Sequence, residues 1–320
     1  MVAIRGSLED VAMSEALEIW EKPSAQEISM LLGWRQWADA GSISSGLPAY
    51  LVKQLGAKQI GRIRPDGFYL FQFPGTHDLV RPVVRFKQGY PAALETPKNE
   101  IYYAGNERQG LAIFIGDEPH LDVERYAEAI LHAARTLGVK LMVSFGGVYG
   151  ELPYDKERMV SCIYSQPQLK EQVADLAVNL SDYQGGASIG SFLCRKAGEQ
   201  GIDLFGFYAF VPTYDFSGID KISNAIRIEN DFMAWLGVMR RVNYLLKIGI
   251  DLSDLEQKSQ HLLELVDDKM EELDKSSPEL GVRDYLRRLS EEFNEVPFDP
   301  LSDVWEQELR RLFDKFDTDE

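Results

Sequence analysis

Residues 111–147 read LAIFIGDEPHLDVERYAEAILHAARTLGVKLMVSFGG. The first five residues are an unbroken apolar run, typical of a strand that is buried on both faces, and residues 140–145 form a second such run. Between them, residues 122–137 have apolar side chains at helical spacing and are followed by Gly138, a common helix end. The stretch therefore predicts a strand, an amphipathic helix and a second strand.

The same alternation extends over most of the chain before residue 250. Further strands are predicted at residues 27–34, 59–64, 68–73, 81–86, 100–103, 159–164 and 203–211, and further helices at 42–55, 168–177 and 189–199. Buried strands separated by amphipathic helices need cover on both faces of their sheet. The sequence thus predicts an α/β fold, a three-layer α/β/α sandwich with a substantial parallel component.

The negative charge is concentrated at the end of the chain. Residues 251–320 contain 22 Asp and Glu against 9 Lys and Arg, whereas the whole chain has a net charge of −17. This region begins with a capping-box pattern, Ser253 to Glu256, and helices are predicted up to about residue 275, at 278–293 and at 302–316. We therefore expect a core domain at 1–250 and an acidic, all-helical subdomain at 251–320. The subdomain either docks on the core or forms a coiled-coil-like partner surface.

Composition argues against several classes of protein. A chain this acidic repels a phosphate backbone, so nucleic acid is not an expected partner. The sequence has no run of about 18 uncharged apolar residues, and residues 1–10 lack the order of a signal peptide, so neither a membrane span nor export is expected. Cys162 and Cys194 are far apart in the sequence, and each is predicted to be a small buried side chain. A reducing cytoplasm is the predicted location.

Acidic residues follow several predicted core strands or their glycine turns. They are Asp39, Asp117, Glu118 and Glu151. Because the carboxyl ends of parallel strands meet at one edge, these side chains could gather there, and clustering in a partly dry cleft would raise one pKa and suit acid–base chemistry. The alternative is that they cap helix starts, Asp39 for the helix near residue 42 and Glu118 for the helix at residue 122. The candidate cleft consists of Trp34, Asp39, Gly116, Glu118, Gly146, Gly147 and Glu151.

Aromatic residues stand beside these carboxylates in the sequence. Trp37, Tyr149 and Tyr154 either line a pocket or close a core.

A second possible site is the Gly186–Gly190 stretch, which fits the G-x-S-x-G pattern of a hydrolase. Such a nucleophile needs a buried strand directly before the serine and a histidine later in the chain. Here the preceding residues are polar, and the later histidine, His261, lies in the charged tail. We predict that Ser188 caps the helix that follows it, with a serine hydrolase or an anion site at that helix start as alternatives.

Recognisable cofactor and metal motifs are missing from the sequence. It contains neither G-x-G-x-x-G nor G-x-x-x-x-G-K-[ST], so no nucleotide cradle is predicted. The four histidines are scattered, and His132 is expected on a helix face rather than on a metal. We therefore expect neither a cofactor nor a metal.

Several short motifs recur in a recognisable order: Gly33-Trp34, then residues 39–41, 66–72, Arg81-Pro82, 116–119, Gly146-Gly147 and 211–214. In this order they resemble the PAC2 family, named after a proteasome assembly chaperone, in its actinobacterial form with a helical C-terminal extension. The resemblance implies a phosphorylase/hydrolase-like α/β/α fold and a homo-oligomer. It also implies that members assisting the proteasome end in a hydrophobic–Tyr–any-residue tail, whereas residues 317–320 read Asp-Thr-Asp-Glu.

Two functions remain open from the sequence. The first is a non-enzymatic, protein-binding homo-oligomer of the assembly-chaperone type, with itself and a second complex as partners. The alternative is a small-molecule hydrolase, similar to a nucleosidase, that uses the strand-end carboxylates. A deep cleft with at least two of Asp39, Glu118 and Glu151 would favour the enzyme, and a shallow rim with these residues in helix caps would favour the binding protein.

Overall fold

The computed structural model describes residues 16–35, 37–73, 80–214 and 226–298. These residues form two compact units. The first consists of the described residues up to Val148 together with Ser161–Lys170 and Leu180–Tyr208, and the second of Tyr149–Val160, Glu171–Asn179 and the described residues from Ala209 onwards.

Twelve strands are present in the described residues. They are β1 (Leu17–Ile19), β2 (Glu27–Arg35), β3 (Lys58–Ile63), β4 (Val83–Lys87), β5 (Tyr90–Glu95), β6 (Asn99–Gly105), β7 (Gln109–Asp117), β8 (Val139–Gly150), β9 (Val160–Tyr164), β10 (Asn179–Leu180), β11 (Leu204–Tyr214) and β12 (Ile226–Arg227). The first unit is built on a mixed sheet with the order β1-β3-β6-β7-β2-β8-β11-β9-β10. At its centre β2 pairs in parallel with both β7 and β8, so the predicted parallel component is confirmed.

Six α-helices are present in the same residues. They are α1 (Gly46–Gln54), α2 (Val123–Leu137), α3 (Ile189–Glu199), α4 (Phe232–Leu246), α5 (Ser253–Ser276) and α6 (Val282–Glu292). Helices α1 to α3 belong to the first unit, and α4 to α6 belong to the second.

Helices cover both faces of the sheet in the first unit. On one face Ile28, Met30 and Leu32 of β2 share a buried core with residues of α2 and α3. On the other face α1 packs on β2 and β7. Gly33 points toward α1, where an added methyl group would lie 1.8 Å from the carbonyl oxygen of Ser44. The predicted α/β/α layering is therefore confirmed.

Some local predictions were wrong. Residues 68–72 form no strand: the carbonyl oxygen of Phe68 accepts hydrogen bonds from the amides of His120 and Leu121, and its ring packs edge-on against Tyr126. Residues 168–177 were predicted as a helix, but the chain there has a 3-10 helix at Pro167–Val173. Between these segments each predicted strand is present, and one strand that was not predicted, β5, is added.

The start of α5 also differs from the predicted capping box. Leu252 occupies the N-cap without a side-chain hydrogen bond, and the amide of Ser253 donates to Oδ1 of Asp251 at 3.0 Å. Ser253 is therefore the first residue of α5 rather than its N-cap, and the amide of Glu256 donates to the carbonyl oxygen of Leu252 at 2.9 Å. The predicted helix at 302–316 lies outside the described residues.

The second unit is organised around buried ionic groups as well as an apolar core. Arg158 and Asp231 form a completely buried ion pair, with 2.7 Å between Nε and Oδ2. Asp231 also accepts the amide of Ala234 at 3.1 Å and so caps the start of α4. Beside this pair, Met270 and Val282 pack with Tyr214 in a small core. In the same unit β12 pairs with the end of β11.

The predicted domain boundary at residue 250 falls inside this second unit, between α4 and α5. Helices α4 and α5 pack together, and Leu255 is completely buried. Farther along, Phe298 is buried and its amide donates to the carboxylate of Glu157. The division into 1–250 and 251–320 remains a prediction.

Deleting residues 251–320 tests that boundary. We expect the first unit to stay folded, because it contains no residue beyond Tyr208, and the second unit to lose stability, because Leu255 and Phe298 are removed. Hydrogen exchange followed peptide by peptide distinguishes the two units. Loss of protection in β2 and β7 would show instead that the tail belongs to the core.

Candidate functional site

The carboxyl ends of the parallel strands bring most of the predicted site residues to one edge of the first unit. In the register of β2 and β7, Trp34 lies opposite Gly116. On the other side of β2, Asp39 forms an isolated parallel bridge with Gly147 of β8. The amide of Gly147 donates to the carbonyl oxygen of Ala38 at 2.7 Å. The chain that leaves β2 therefore crosses directly over the end of β8.

Asp39 is bound to the start of α1. Its Oδ1 accepts hydrogen bonds from the amides of Ser44 and Ser45, at 3.0 and 2.9 Å, and its Oδ2 accepts one from the Ser45 hydroxyl at 2.7 Å. Burial raises the pKa of Asp39, while these hydrogen bonds act in the opposite direction. Asp39 thus acts as a cap at the start of α1, because it accepts amides that have no partner within the helix.

Glu118 joins two segments that are distant in the sequence. Its Oε1 accepts the amide of Ile189, the first residue of α3, at 2.7 Å, and its Oε2 accepts the amide of Trp37 at 3.2 Å. Burial raises the pKa of Glu118. The capping role expected for Glu118 concerned α2, but the carboxylate serves the start of α3 instead. It occupies the position at that helix start where an external anion would bind.

Asp117 is engaged in a similar way, although it was predicted only as a possible member of the cluster. Its Oδ2 accepts the amide of Lys98 at 2.8 Å, and Arg35 lies 3.6 Å from its Oδ1. All three strand-end carboxylates of the first unit therefore accept main-chain N–H groups.

The space beside the glycines of the candidate cleft is occupied by other atoms of the protein. A methyl group added at Gly147 would lie 2.0 Å from the carbonyl oxygen of Ala40, and one at Gly146 would lie 2.3 Å from the ring of Tyr208. At Gly116 the nearest atoms belong to Phe114 and Tyr126, at 2.7 and 2.8 Å. These glycines allow close packing of the chain on itself, which differs from a glycine loop that leaves space for a phosphate.

Trp34 belongs to a buried hydrogen-bond network behind the rim. Its Nε1 donates to the hydroxyl of Tyr126 at 3.1 Å. The hydroxyls of Tyr126 and Tyr69 both lie within 3.0 Å of Oδ1 of Asn99 and of the carbonyl oxygen of Asp117. Burial raises the pKa of Tyr126 well above its usual value, so both tyrosines stay protonated and act as donors.

Sequence reasoning missed this network. The available signal was a tyrosine on the apolar face of the predicted helix at 122–137, since a buried tyrosine hydroxyl needs a partner. Two buried donors beside the network, Nδ2 of Asn99 and Nε2 of His120, have no partner among the residues that the structure describes. His120 accepts the amide of Leu70 at Nδ1, which places its proton on Nε2, and burial lowers its pKa.

Ser188 stands at the N-cap of α3, as predicted. Its Oγ accepts the amide of Ser191 at 3.2 Å and lies 3.0 Å from the hydroxyl of Tyr208. No strand lies directly before it, because β10 ends at Leu180. His261 is an exposed residue of α5 and lies 3.7 Å from Glu264. A nucleophile elbow needs a strand directly before the serine and a histidine beside it, and the surroundings of Ser188 and His261 do not match this pattern.

The remaining predicted site residues are divided between the two units. Glu151 is exposed and belongs to the second unit, where burial and, to a smaller extent, the charge of Glu151 raise the pKa of Tyr285. In that unit the hydroxyl of Tyr154 donates to Oδ1 of Asp267 at 2.6 Å, so this tyrosine holds α5. Tyr149 is also in the second unit and lies under the guanidinium of Arg227. Trp37 stays with the first-unit rim and is exposed.

Neither metal-binding nor membrane-spanning features occur in the described ranges. Within residues 16–35, 37–73, 80–214 and 226–298, no three His, Cys, Asp or Glu side chains are grouped so that they could bind a metal ion. None of the helices in those ranges combines the length and the apolar character that crossing a bilayer requires.

Comparison with known proteins identifies the family. The model of the PAC2 family matches residues 34–270, which is well over half of the chain. The chain belongs to the PAC2 family. The match contains the rim carboxylates, the network around Trp34 and most of α5. Among curated proteins, none matches the chain.

Solved structures similar to this PAC2 chain come from actinobacteria and archaea. A PAC2 family protein from Streptomyces avermitilis has 22% identity and a TM-score of 0.65, covering 81% of this chain and 99% of its own. The Mycobacterium tuberculosis proteasome-assembly chaperone homologue Rv2125 has 20% identity and a TM-score of 0.64, covering 75% and 94%. PbaB from Pyrococcus furiosus, an archaeal proteasome activator, has 18% identity and a TM-score of 0.55, covering 79% and 97%. At these identities the likeness shows the shared fold.

Substitution of Glu118 tests whether the carboxylates at this edge of the sheet stabilise the fold. We expect Glu118→Ala to lower the free energy of unfolding by ~1–2 kcal/mol, because the amides of Ile189 and Trp37 lose their acceptor. Glu118→Gln keeps one carbonyl acceptor and should lose less. Urea unfolding measures both changes.

The matched control is Glu107→Ala, which removes an exposed glutamate from the same unit and should change the free energy of unfolding by less than about 0.5 kcal/mol. Equal stability of Glu118→Ala and the control would show that Glu118 does not hold α3.

Proposed function

We propose that this PAC2 chain is a non-enzymatic, protein-binding homo-oligomer of the assembly-chaperone type that works in the cytoplasm. The proposal rests on one observation: Asp39, Asp117 and Glu118, three of the four predicted strand-end carboxylates, each accept main-chain hydrogen bonds. Two of them hold helix starts.

Carboxylates bound in this way are poorly suited to proton transfer. Protonating Asp39 or Glu118 during a reaction would weaken the hydrogen bonds to α1 or α3 at each turnover, since a neutral carboxyl is a weaker acceptor. A general base also needs open space beside it for the substrate. At this rim the space next to Gly146 and Gly147 is filled by Tyr208 and by the backbone of Ala40.

Exposed aromatic and aliphatic side chains support a protein-binding role. Phe86 is 64% exposed and Tyr90 is 71% exposed, both on the hairpin formed by β4 and β5. Trp37, next to the rim, is 60% exposed. Large apolar side chains exposed together are typical of protein interaction surfaces.

The similar structures support the same role. One is described as a proteasome-assembly chaperone homologue and another as a proteasome activator, and both descriptions refer to a protein assembly, the proteasome. A protein assembly is therefore the class of partner we infer for this chain. The two cysteines, Cys162 and Cys194, are buried free thiols, which suits a reducing compartment. Burial raises the pKa of each to about 12.

Purification of the tagged full-length chain from its native cells tests the proposal. We expect a second protein complex, with proteasome subunits as the first candidates, to copurify at a constant ratio, and mass spectrometry of the same sample to find no stoichiometric metabolite. A tag-only sample is the control. Recovery of the chain alone, together with a tightly bound small molecule, would contradict the proposal.

The second candidate function is a nucleosidase-like hydrolase. The observation in its favour is that burial raises the pKa of both Asp39 and Glu118, as a general acid requires. A nucleoside panel assayed for released base and ribose distinguishes the two functions. Release by the wild type that is lost in Glu118→Gln, with the fold intact by circular dichroism, would establish the enzyme.

A further inference from the structure

Residues 70–73 run beside the segment that follows β7, and the side chain of His120 joins the two. The amide of Leu70 donates to Nδ1 of His120 at 3.1 Å. The ring of Phe73 meets the imidazole edge-on, with 5.3 Å between the ring centroids. We call residues 70–73 the strap. These two contacts of the strap depend on a single histidine side chain.

The residues just before the strap are held in a different way. The carbonyl oxygen of Phe68 accepts the amides of His120 and Leu121, at 2.8 and 3.0 Å. The hydroxyl of Tyr69 donates to the carbonyl oxygen of Asp117 at 2.7 Å. None of these hydrogen bonds uses the imidazole of His120. Phe68 and Tyr69 therefore fix one end of the strap whatever the protonation state of that ring.

The strap itself contributes little to the buried core. Phe71 is 64% exposed and Phe73 is 38% exposed, and Gln72 is exposed as well. Segments with few buried apolar contacts open locally at a low cost in free energy. The strap therefore has the features of a segment that can open while the sheet beneath it stays folded.

The His120 ring can hold the strap only while it is neutral. A neutral imidazole with its proton on Nε2 offers Nδ1 as an acceptor, whereas an imidazolium carries a proton on both nitrogens. Protonation therefore places an N–H group of the ring against the N–H group of Leu70. Nε2 is buried, and no residue in the described part of the chain accepts a hydrogen bond from it. The added charge thus gains no hydrogen bond at that nitrogen.

The acidic groups nearest to His120 in the sequence have only a small influence on this balance. The charge of Asp117 favours the imidazolium, but burial of the ring disfavours it by more, so the pKa of His120 is lowered. Glu118 directs its two carboxylate oxygens to the amides of Ile189 and Trp37. Neither carboxylate therefore compensates for burying a charged imidazole.

Arginines stand on the elements next to the strap. The guanidinium of Arg81 lies 4.8 Å from the centroid of the Phe71 ring. Arg125 of α2 lies 4.2 Å from the centroid of the Phe68 ring and is paired with Asp122 at 2.6 Å. Because like charges disfavour each other, these cations do not stabilise a protonated His120.

We propose that His120 is an acid-sensitive latch: its neutral ring holds the strap against the segment after β7, and protonation of the ring releases the strap. The observation that carries the proposal is the bond from the Leu70 amide, which requires an unprotonated Nδ1. Phe73 packs on the imidazole, so release exposes this part of the rim to solvent. The inference goes beyond the proposed function, because it assigns a conformational response rather than a partner.

The direction of the pH response follows from the lowered pKa. With the strap open, His120 titrates near its ordinary value of about 6.5, and with the strap closed it titrates at a lower pH. The strap is therefore fully held above about pH 6.5. Below that pH its opening constant rises by up to about tenfold for each pH unit, until the pKa of the closed form is reached.

Hydrogen exchange of the full-length chain at two pH values tests the latch. Rates are divided by the intrinsic chemical exchange rate at each pH, so that only the opening equilibrium remains. Between about pH 7.5 and about pH 5.5 we expect exchange in the strap to rise by up to about tenfold. Peptides from β2 and β7 should keep their protection, which distinguishes local release from acid unfolding.

Two matched substitutions identify the group that responds. His120→Asn keeps a side-chain oxygen that can accept the Leu70 amide but does not titrate in this range, so the strap should stay protected at both pH values. His261→Asn makes the same change at an exposed histidine of α5 and should keep the wild-type response. Circular dichroism of each variant shows whether it is folded.

The ring titration of the wild type provides a measurement that needs no variant. NMR of the imidazole should show the proton on Nε2 at neutral pH and a pKa below the ordinary value of about 6.5. A pKa at or above that value would overturn the inference.

Equal exchange of the strap at both pH values would overturn it too. A response that persists in a folded His120→Asn would show that a different group is the sensor. None of these results decides the copurification experiment, so the proposed function stands or falls separately.

Discussion

A methyl group at Gly33 would lie 1.8 Å from the carbonyl oxygen of Ser44, and one at Gly147 would lie 2.0 Å from that of Ala40. Residues 38–45 can lie this close to the ends of β2 and β8 only because both positions lack side chains. The close approach places Asp39 where it reaches the amides of Ser44 and Ser45. The course of the chain after β2, and with it the start of α1, depends on this contact between backbone and glycine.

The rim carboxylates show how that packing limits chemistry. Asp39 and Glu118 lie at the edge of the sheet where α/β folds commonly bind ligands, and burial raises the pKa of both. Their oxygens nevertheless accept main-chain amides at the starts of α1 and α3. The same edge of a fold can thus be an active site or a structural joint. In this chain the hydrogen-bond partners of Asp39 and Glu118 support the structural role that we propose for the rim.

The sequence predicted the parts of the structure that depend on local pattern. Apolar runs identified β2 and β7, and the helix at α3 was predicted with the bounds it has, because Ser188 caps it and apolar residues follow at helical spacing. The capping role of Asp39 was also an available interpretation, since it acts on residues five and six positions away.

Contacts between distant residues could not be predicted in the same way. Nothing in the sequence indicates that Glu118 reaches Ile189, 71 residues later, rather than the helix that directly follows it. The network of Asn99 with Tyr69 and Tyr126 depends on a similar long-range arrangement. Strand β5 was missed because it contains Pro91 and two alanines, which are uncommon in strands.

The buried pair of Arg158 and Asp231 has a consequence for how the second unit holds together. Arg158 also donates to the carbonyl oxygens of Tyr154 and Lys156, and Asp231 also caps α4. One guanidinium and one carboxylate thus tie a loop to a helix that begins more than seventy residues later. Neither segment can open without stranding a charge away from water, so the loop and the helix should come apart together, as a single cooperative step.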